Sequence, residues 1–163
     1  MRGRPNALGM LEKAYTERRQ AFLAGNGGSA ATASHMANNL MKTAEIGGRQ
    51  GFRPMALSDN TLLITALAND EGHSGVFTSQ LMTLGQPDDV LVLFSASSNS
   101  VSIIRVLEAA LIMQITDIAF LGMGGGKVSG IADVSVVVPS DEYESVEDIH
   151  MVFEHLIASY LRT

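Results

Sequence analysis

Short, continuously apolar runs alternate along the chain with longer stretches whose apolar positions recur every three or four residues. The first pattern marks strands buried on both faces and the second marks amphipathic helices. In order they predict a helix over about 5–20, with Leu8, Leu11 and Tyr15 at helical spacing, and a strand at Ala21–Ala24. A helix from Gly27 to about Met41 follows, then a loop with Gly47, Gly48 and Gly51 and a strand at Pro54–Leu57. Ser58-Asp59-Asn60 offers N-cap chemistry for a helix over Thr61–Ala68, interrupted at Asn69-Asp70-Glu71-Gly72. A helix over Gly75–Leu84 ends at Gly85, a C-cap glycine. Beyond it come a strand at Asp89–Phe94, a helix from Val101 to about Met113, strands at Asp117–Leu121 and Val134–Val138, and a helix over about Glu144–Leu161. Its apolar stripe is Val146, Ile149, Phe153, Leu156, Ile157 and Tyr160.

Such alternation of strand and helix predicts an α/β three-layer sandwich with a five-stranded parallel sheet and right-handed crossovers, flavodoxin-like or Rossmann-like in kind. The first helix is expected to pack on the sheet edge or on another subunit. Met36, Met41, Met82, Met113 and Met151 occupy apolar helix positions and are expected in the core.

Length and composition narrow this picture. With 163 residues, 46% of them hydrophobic and no compositional break, the chain reads as a single domain over 1–163. A net charge of −6 argues against a nucleic-acid footprint. The cations Arg2, Arg4, Lys13, Arg18 and Arg19 are dispersed among polar residues and read as a solvated helix face. Absence of cysteine excludes disulfides and thiolate metal sites. The first residues hold no apolar export core and no run has the length of a membrane span, so the expected location is the cytoplasm.

Two strand ends carry candidate chemistry. Gly25-Asn26-Gly27-Gly28-Ser29 follows the first strand, and Ser95-Ala96-Ser97-Ser98-Asn99-Ser100 follows the third; each opens a helix. Hydroxyls and helix-start amides at one sheet edge hold a phosphate without a lysine or a metal, so a phosphorylated small molecule is the expected ligand. The glycine motif lacks the three-glycine spacing and downstream acid of a dinucleotide site.

Together with His35, Ala68-Asn69-Asp70, Gly124-Gly125-Gly126, Ile149-His150 and His155, these motifs resemble the sugar isomerase (SIS) domain, and within it the phosphoheptose isomerases. The resemblance covers about Phe22–Leu161. It implies interconversion of sedoheptulose 7-phosphate and a heptose 7-phosphate, on the route to the heptose precursor of lipopolysaccharide. It also implies a homo-oligomer, a tetramer or dimer, with sites at subunit interfaces. Contacts to the sugar phosphate would come from Asn26, Gly27, Gly28 and Ser29, hydroxyl contacts from Asn69 and Asp70, and the phosphate loop from Ser95, Ala96, Ser97 and Ser100. In that loop the usual Ser-Thr-Ser-Gly-Asn-Ser reads Ser-Ala-Ser-Ser-Asn-Ser, and Ser98 is expected to restore the hydroxyl lost at Ala96.

The proton-transfer and metal set implied by the resemblance falls on His35, Asn39, Glu147 and His155. Its usual glutamate is Asn39 here, and its usual glutamine is Glu147. An enediol route needs a base, which an amide cannot be. One reading exchanges the roles: Glu147 is base or ligand, Asn39 holds a substrate hydroxyl, His155 is the partner acid, and His35, Glu147 and His155 hold a zinc ion. Other readings are a non-catalytic SIS module binding a phosphosugar or a protein such as a replication initiator, and an isomerase of a variant sugar phosphate. His150 is expected to be a packed or interface residue and His73 an exposed loop residue.

Overall fold

The computed structural model describes residues 6–42 and 51–162; the expected loop around Gly47-Gly48, the helix start at Pro5 and the cations Arg2 and Arg4 lie outside them. Helix α1 (Ala7–Thr16) leads into β1 (Gln20–Ala24) and α2 (Gly28–Lys42). Next come β2 (Arg53–Ala56), α3 (Thr61–Asp70), a single 3-10 turn at His73–Gly75, and α4 (Val76–Leu84). The chain continues through β3 (Val90–Ser95), α5 (Val101–Ile112), β4 (Thr116–Leu121), β5 (Val134–Val137) and α6 (Tyr143–Tyr160).

All strand pairs are parallel and the five-stranded sheet has the order β2-β1-β3-β4-β5. The strand order reverses between β1 and β3, and the carboxyl ends of those two strands are where such sheets bind ligands. Both motif loops leave the sheet there.

Alternation along the strands separates two cores. Ala21 and Leu23 of β1, with Val90, Val92 and Phe94 of β3, face α1, α2 and α6 through Leu11, Met36, Leu40 and Ile157. Phe22 and Ala24, with Leu91 and Leu93, face α4 and α5 through Phe77, Leu81, Ile103 and Leu107. Helix α1 therefore packs on a sheet face rather than on its edge, because Leu11 and Ala14 fall on one side of the helix and are buried.

Helix α1 is shorter than its pattern predicts. Asn6 caps it by accepting from the Gly9 N–H at 2.8 Å, and Arg18, at φ 61, turns the chain so that the Arg19 N–H reaches the Ala14 carbonyl at 2.8 Å. Helix α3 runs through Asn69-Asp70, and the break comes at Gly72, whose φ is 86. The methionines divide. Met36 is fully buried, whereas Met41 and Met82 are 58% and 64% exposed. Met41 lines an apolar surface cavity with Met55, Leu63 and Leu84 beside edge strand β2, a side of the chain that no described element covers. Among the described residues no helix is long and apolar enough to cross a membrane.

Candidate functional site

The loop after β1 turns on Gly27, at φ 56, and α2 starts at Gly28. A Cβ on Gly28 would overlap the Glu147 carboxylate, so the absence of a side chain there lets α6 lay that carboxylate on the first turn of α2. Asn26 ties the two motif loops together, its Nδ2 donating to Ser100 Oγ at 2.9 Å and to Ser102 Oγ at 3.0 Å.

The loop after β3 is shaped by its own hydroxyls. Ser98 is fully buried at φ 55. Its Oγ lies 2.7 Å from the Gly122 carbonyl and 3.1 Å from the Ser95 carbonyl, and its N–H donates to Ser95 Oγ at 3.1 Å. The hydroxyl of Ser98 is thus spent on the backbone and does not replace the donor missing at Ala96. Asn99 accepts from the Lys127 N–H at 3.1 Å, which anchors the Gly124-Gly125-Gly126 turn against the loop.

Between these loops lies a cavity of about 180 Å³ lined by Asn26, Ser29, Phe94, Ser95, Ala96, Ser97, Ser100, Tyr143 and Glu147. It brings together most of the expected phosphate contacts with the α2 N-terminus, an arrangement suited to an anion. Phe94 and Tyr143 are additions that the motifs do not signal. His73 is exposed and lines a neighbouring cavity with Asn26, Ser74, Ser100, Val101 and Ser102. Asn69 and Asp70 are not brought to the site within this chain; they lie exposed at the end of α3, hydrogen-bonded to each other at 2.8 Å.

Helices α2 and α6 pack side by side in the same direction, Gly28 against Glu147 at their starts and Asn39 against Glu154 further on. Two turns beyond Glu147, a second polar centre is formed by His35, Glu154 and His155, whose ligand atoms all lie within 4.8 Å of one another. The Glu154 side chain is 0% exposed, against 42% for His35 and 56% for His155. Glu154 Oε2 lies 3.1 Å from His35 Nδ1 and 3.5 Å from His155 Nε2. Asn39, itself buried, donates through Nδ2 to Glu154 Oε1 at 2.7 Å. The imidazoles of His35 and His155 meet edge to face at 5.0 Å.

Two expectations change here. The carboxylate that joins His35 and His155 is Glu154, not Glu147: residue 154 is next to His155 on the inner side of α6, while Glu147 is held two turns away against Gly28. Asn39 grips Glu154 rather than standing open to a substrate hydroxyl. The motif comparison misses Glu154, yet the sequence holds its signal: residue 154 falls on the buried stripe of Val146, His150 and Ile157, where a carboxylate needs a partner.

His150 is fully buried beside Phe94 and Phe120, and neither ring nitrogen meets a hydrogen-bond partner. Burial pulls its pKa below the usual value, a drop that the nearby Leu121 backbone only partly opposes. It is a packed residue, as its position off the His155 face predicts.

This His/Glu cluster is chemically able to hold a metal ion. A tetrahedral ion with bonds of roughly 2.1 Å separates its donors by about 3.4 Å, close to the 3.1 and 3.5 Å found from Glu154 to the two imidazoles.

Comparison with known proteins agrees with this architecture. The chain is 40% identical over 152 residues to the phosphoheptose isomerase of Sulfurimonas denitrificans, covering 90% of this chain and 75% of that protein. It is 38% identical over 136 residues to the phosphoheptose isomerase of Shewanella sp. strain ANA-3, covering 82% of this chain and 68% of that protein. Among solved structures, phosphoheptose isomerase GmhA from Neisseria gonorrhoeae superposes with a TM-score of 0.86 at 32% identity, over 95% of this chain and 82% of that one. A phosphoheptose isomerase from Francisella tularensis gives 0.88 at 26% identity, over 98% of this chain and 87% of that one. The SIS domain profile matches residues 6–122, which span β1 to β4 and both motif loops. With the β2-β1-β3-β4-β5 sheet and the paired loops at its switch point, that match places the chain in the SIS domain family.

Proposed function

We propose that this chain is an aldose–ketose isomerase that interconverts sedoheptulose 7-phosphate and a heptose 7-phosphate by enediol proton transfer. The observation that carries the reading is the spacing of the two centres. Glu147 at the serine-lined cavity and Glu154 in the histidine cluster are seven residues apart on α6, about 10 Å at 1.5 Å per residue. In an extended seven-carbon sugar phosphate, seven bonds advancing about 1.25 Å each separate phosphorus from C2 by roughly 9 Å. Phosphate at one centre therefore sets the carbonyl end at the other.

In this arrangement Ser95, Ser97, Ser100 and Ser29 bind phosphate beside the start of α2. Asn26 and Glu147 take hydroxyls of the chain near the phosphate. Glu147 is at the wrong end of the sugar to take a proton beside the carbonyl. That step falls to His155, with Glu154 behind it. A divalent cation held by His35, Glu154 and His155, zinc by the resemblance, would polarise the carbonyl. His155, over half exposed, is the member of the set most open to the substrate and able to carry the proton. Asn69 and Asp70 reach hydroxyls in a site completed by a second copy of the chain. The exposed apolar surface at Leu62, Leu63, Met41 and Met55 supports such a homo-oligomer. The absence of cysteine fits a cytoplasmic enzyme.

The test is an NMR assay of the purified protein with sedoheptulose 7-phosphate in deuterated water, with added zinc and with chelator. Aldose signals with deuterium at the carbon next to the carbonyl are expected; neither conversion nor label in both conditions refutes the reading.

A further inference from the structure

Any carboxylate at the histidine cluster has to come from somewhere other than residue 39, because Asn39 stands where the resemblance leads one to expect a glutamate. We propose that Glu154 delivers that carboxylate from the opposite helix, forming with His35 and His155 a site for a divalent cation of the zinc type, and that Asn39 is its positioning residue. The proposal rests on the isomerase reading for its biological purpose, but its chemistry is testable apart from turnover.

Burial supplies the first argument. Glu154 is shut off from solvent, and among the described residues the only basic groups beside it are the two imidazoles, with no lysine or arginine. A buried carboxylate needs compensating positive charge, and a cation seated between three donors provides it.

Orientation supplies the second. The two carboxylate oxygens of Glu154 have different tasks: Oε1 accepts the 2.7 Å bond from Asn39 Nδ2, and Oε2 is turned toward both imidazoles. An outer hydrogen bond that fixes one oxygen and leaves the other for the metal is the usual support of a ligating carboxylate. Asn39 is suited to this task because an amide can donate, whereas a glutamate at 39 would set two carboxylates against each other. The remaining side of the cluster, formed by the partly exposed edges of His35 and His155, is open to an entering ion or substrate oxygen. The replacement at 39 and the acid at 154 thus make one exchange: the carboxylate leaves α2 and returns to the same space from α6.

The experiment is a zinc titration by calorimetry of chelator-stripped full-length protein, with cobalt(II) absorption as the reporter of tetrahedral coordination. Wild type is expected to bind one ion per chain. Glu154→Gln, which keeps an acceptor for Asn39 and nearly the same shape, is expected to bind at least tenfold more weakly and to lose the tetrahedral cobalt spectrum. Asn39→Ala is expected to weaken binding about tenfold, and Glu147→Gln to leave zinc affinity within twofold of wild type. The double variant Asn39→Glu/Glu154→Gln returns a carboxylate to the site and is expected to recover most of the affinity, which separates loss of a ligand from loss of folding. Wild-type affinity in Glu154→Gln, loss of the ion in Glu147→Gln instead, or binding that survives His35→Ala together with His155→Ala overturns the proposal. Zinc bound through Glu154 without any isomerisation refutes the isomerase reading and leaves the site standing; isomerisation by a chain whose zinc affinity is untouched by Glu154→Gln does the reverse.

Discussion

Replacing Ser98 separates a structural hydroxyl from a phosphate-binding one. Ser98 sits at the position where the resemblance has glycine, and its φ of 55 explains that preference. The serine is tolerated because its hydroxyl is buried against the Gly122 and Ser95 carbonyls, at 2.7 and 3.1 Å. Ser98→Ala keeps the unfavourable backbone and removes two bonds of that hydroxyl, the one donated to the Gly122 carbonyl and the one accepted from the Gly122 N–H, at about 1 kcal/mol each and so about 2 kcal/mol together. Ser98→Gly loses the same bonds but relieves the left-handed strain, about 1–2 kcal/mol, less about 0.5–1 kcal/mol for the greater freedom of the unfolded chain. Its net cost is therefore about 1 kcal/mol. For a chain of this size each kcal/mol moves the melting temperature by roughly 2–4 °C, so the alanine variant is expected to melt about 4–8 °C below wild type and the glycine variant at about half that deficit. Thermal melts at neutral pH give the order, and KM for sedoheptulose 7-phosphate gives the functional readout. Because the hydroxyl points into the protein, Ser98→Gly leaves KM unchanged. A raised KM with an unchanged melting temperature would show that the hydroxyl serves the phosphate, and a glycine variant less stable than the alanine one would refute the backbone argument.

Further outcomes follow from buried groups and close contacts. Asp117, buried and paired with Asp133 through reciprocal backbone bonds of 3.0 and 3.1 Å, has its pKa pushed up to about 7, chiefly by burial and with the Asp133 charge adding to it against the Asp133 backbone bond. Between the ordinary value and about 7 the folded chain holds a proton that the unfolded chain has released, so this group adds stability as pH falls through that window. Asp117→Asn is expected to stabilise at pH 8, by at most about 4 kcal/mol, and to change little at pH 4; equal effects at both, in denaturant melts, would refute the assignment. His150 has the opposite sign: its folded pKa is lowered, so stability is complete above the unfolded value and falls as pH drops below it. His150→Leu is expected to remove that loss below about pH 6.5, and an unchanged pH slope would count against it. At Gly122 a Cβ would lie 2.7 Å from both Val146 methyls, so Gly122→Ala is expected to push α6 away from the sheet, cost about 1–3 kcal/mol and raise KM; a wild-type melt and KM would refute this.

Much of the fold is legible in the chain because its signals are local. The run Val90-Leu91-Val92-Leu93-Phe94 is buried at every position, as a strand in the middle of a parallel sheet must be. Helix ends are less legible where they depend on backbone angles that no side chain announces, as at Arg18, or on a partner outside the helix. Met41 and Met82 show another limit: periodicity marks them as apolar positions, but whether such a position is inside depends on which elements lie over it. Among the described residues nothing covers either.

The candidate site divides along the same line. The serine-lined cavity is legible because its groups lie in two contiguous motifs at the ends of β1 and β3, and the topology need only bring two strand ends together. The histidine cluster is legible only in part: the resemblance joins His35 and His155, but their carboxylate is missed because it pairs with Asn39 across α2 and α6, 115 residues apart. Matching motifs position by position finds a missing glutamate at 39 and assigns the nearest matched acid, Glu147, to replace it. Burial periodicity asks a different question. Val146, His150 and Ile157 are buried on one stripe of α6, and a glutamate on that stripe must meet a donor on whatever helix faces it. The facing residue is Asn39, whose amide is anomalous as a base and well suited as a donor. Position 39 and position 154 each look like a departure when read alone; read as a pair across the helix interface, each supplies the reason for the other.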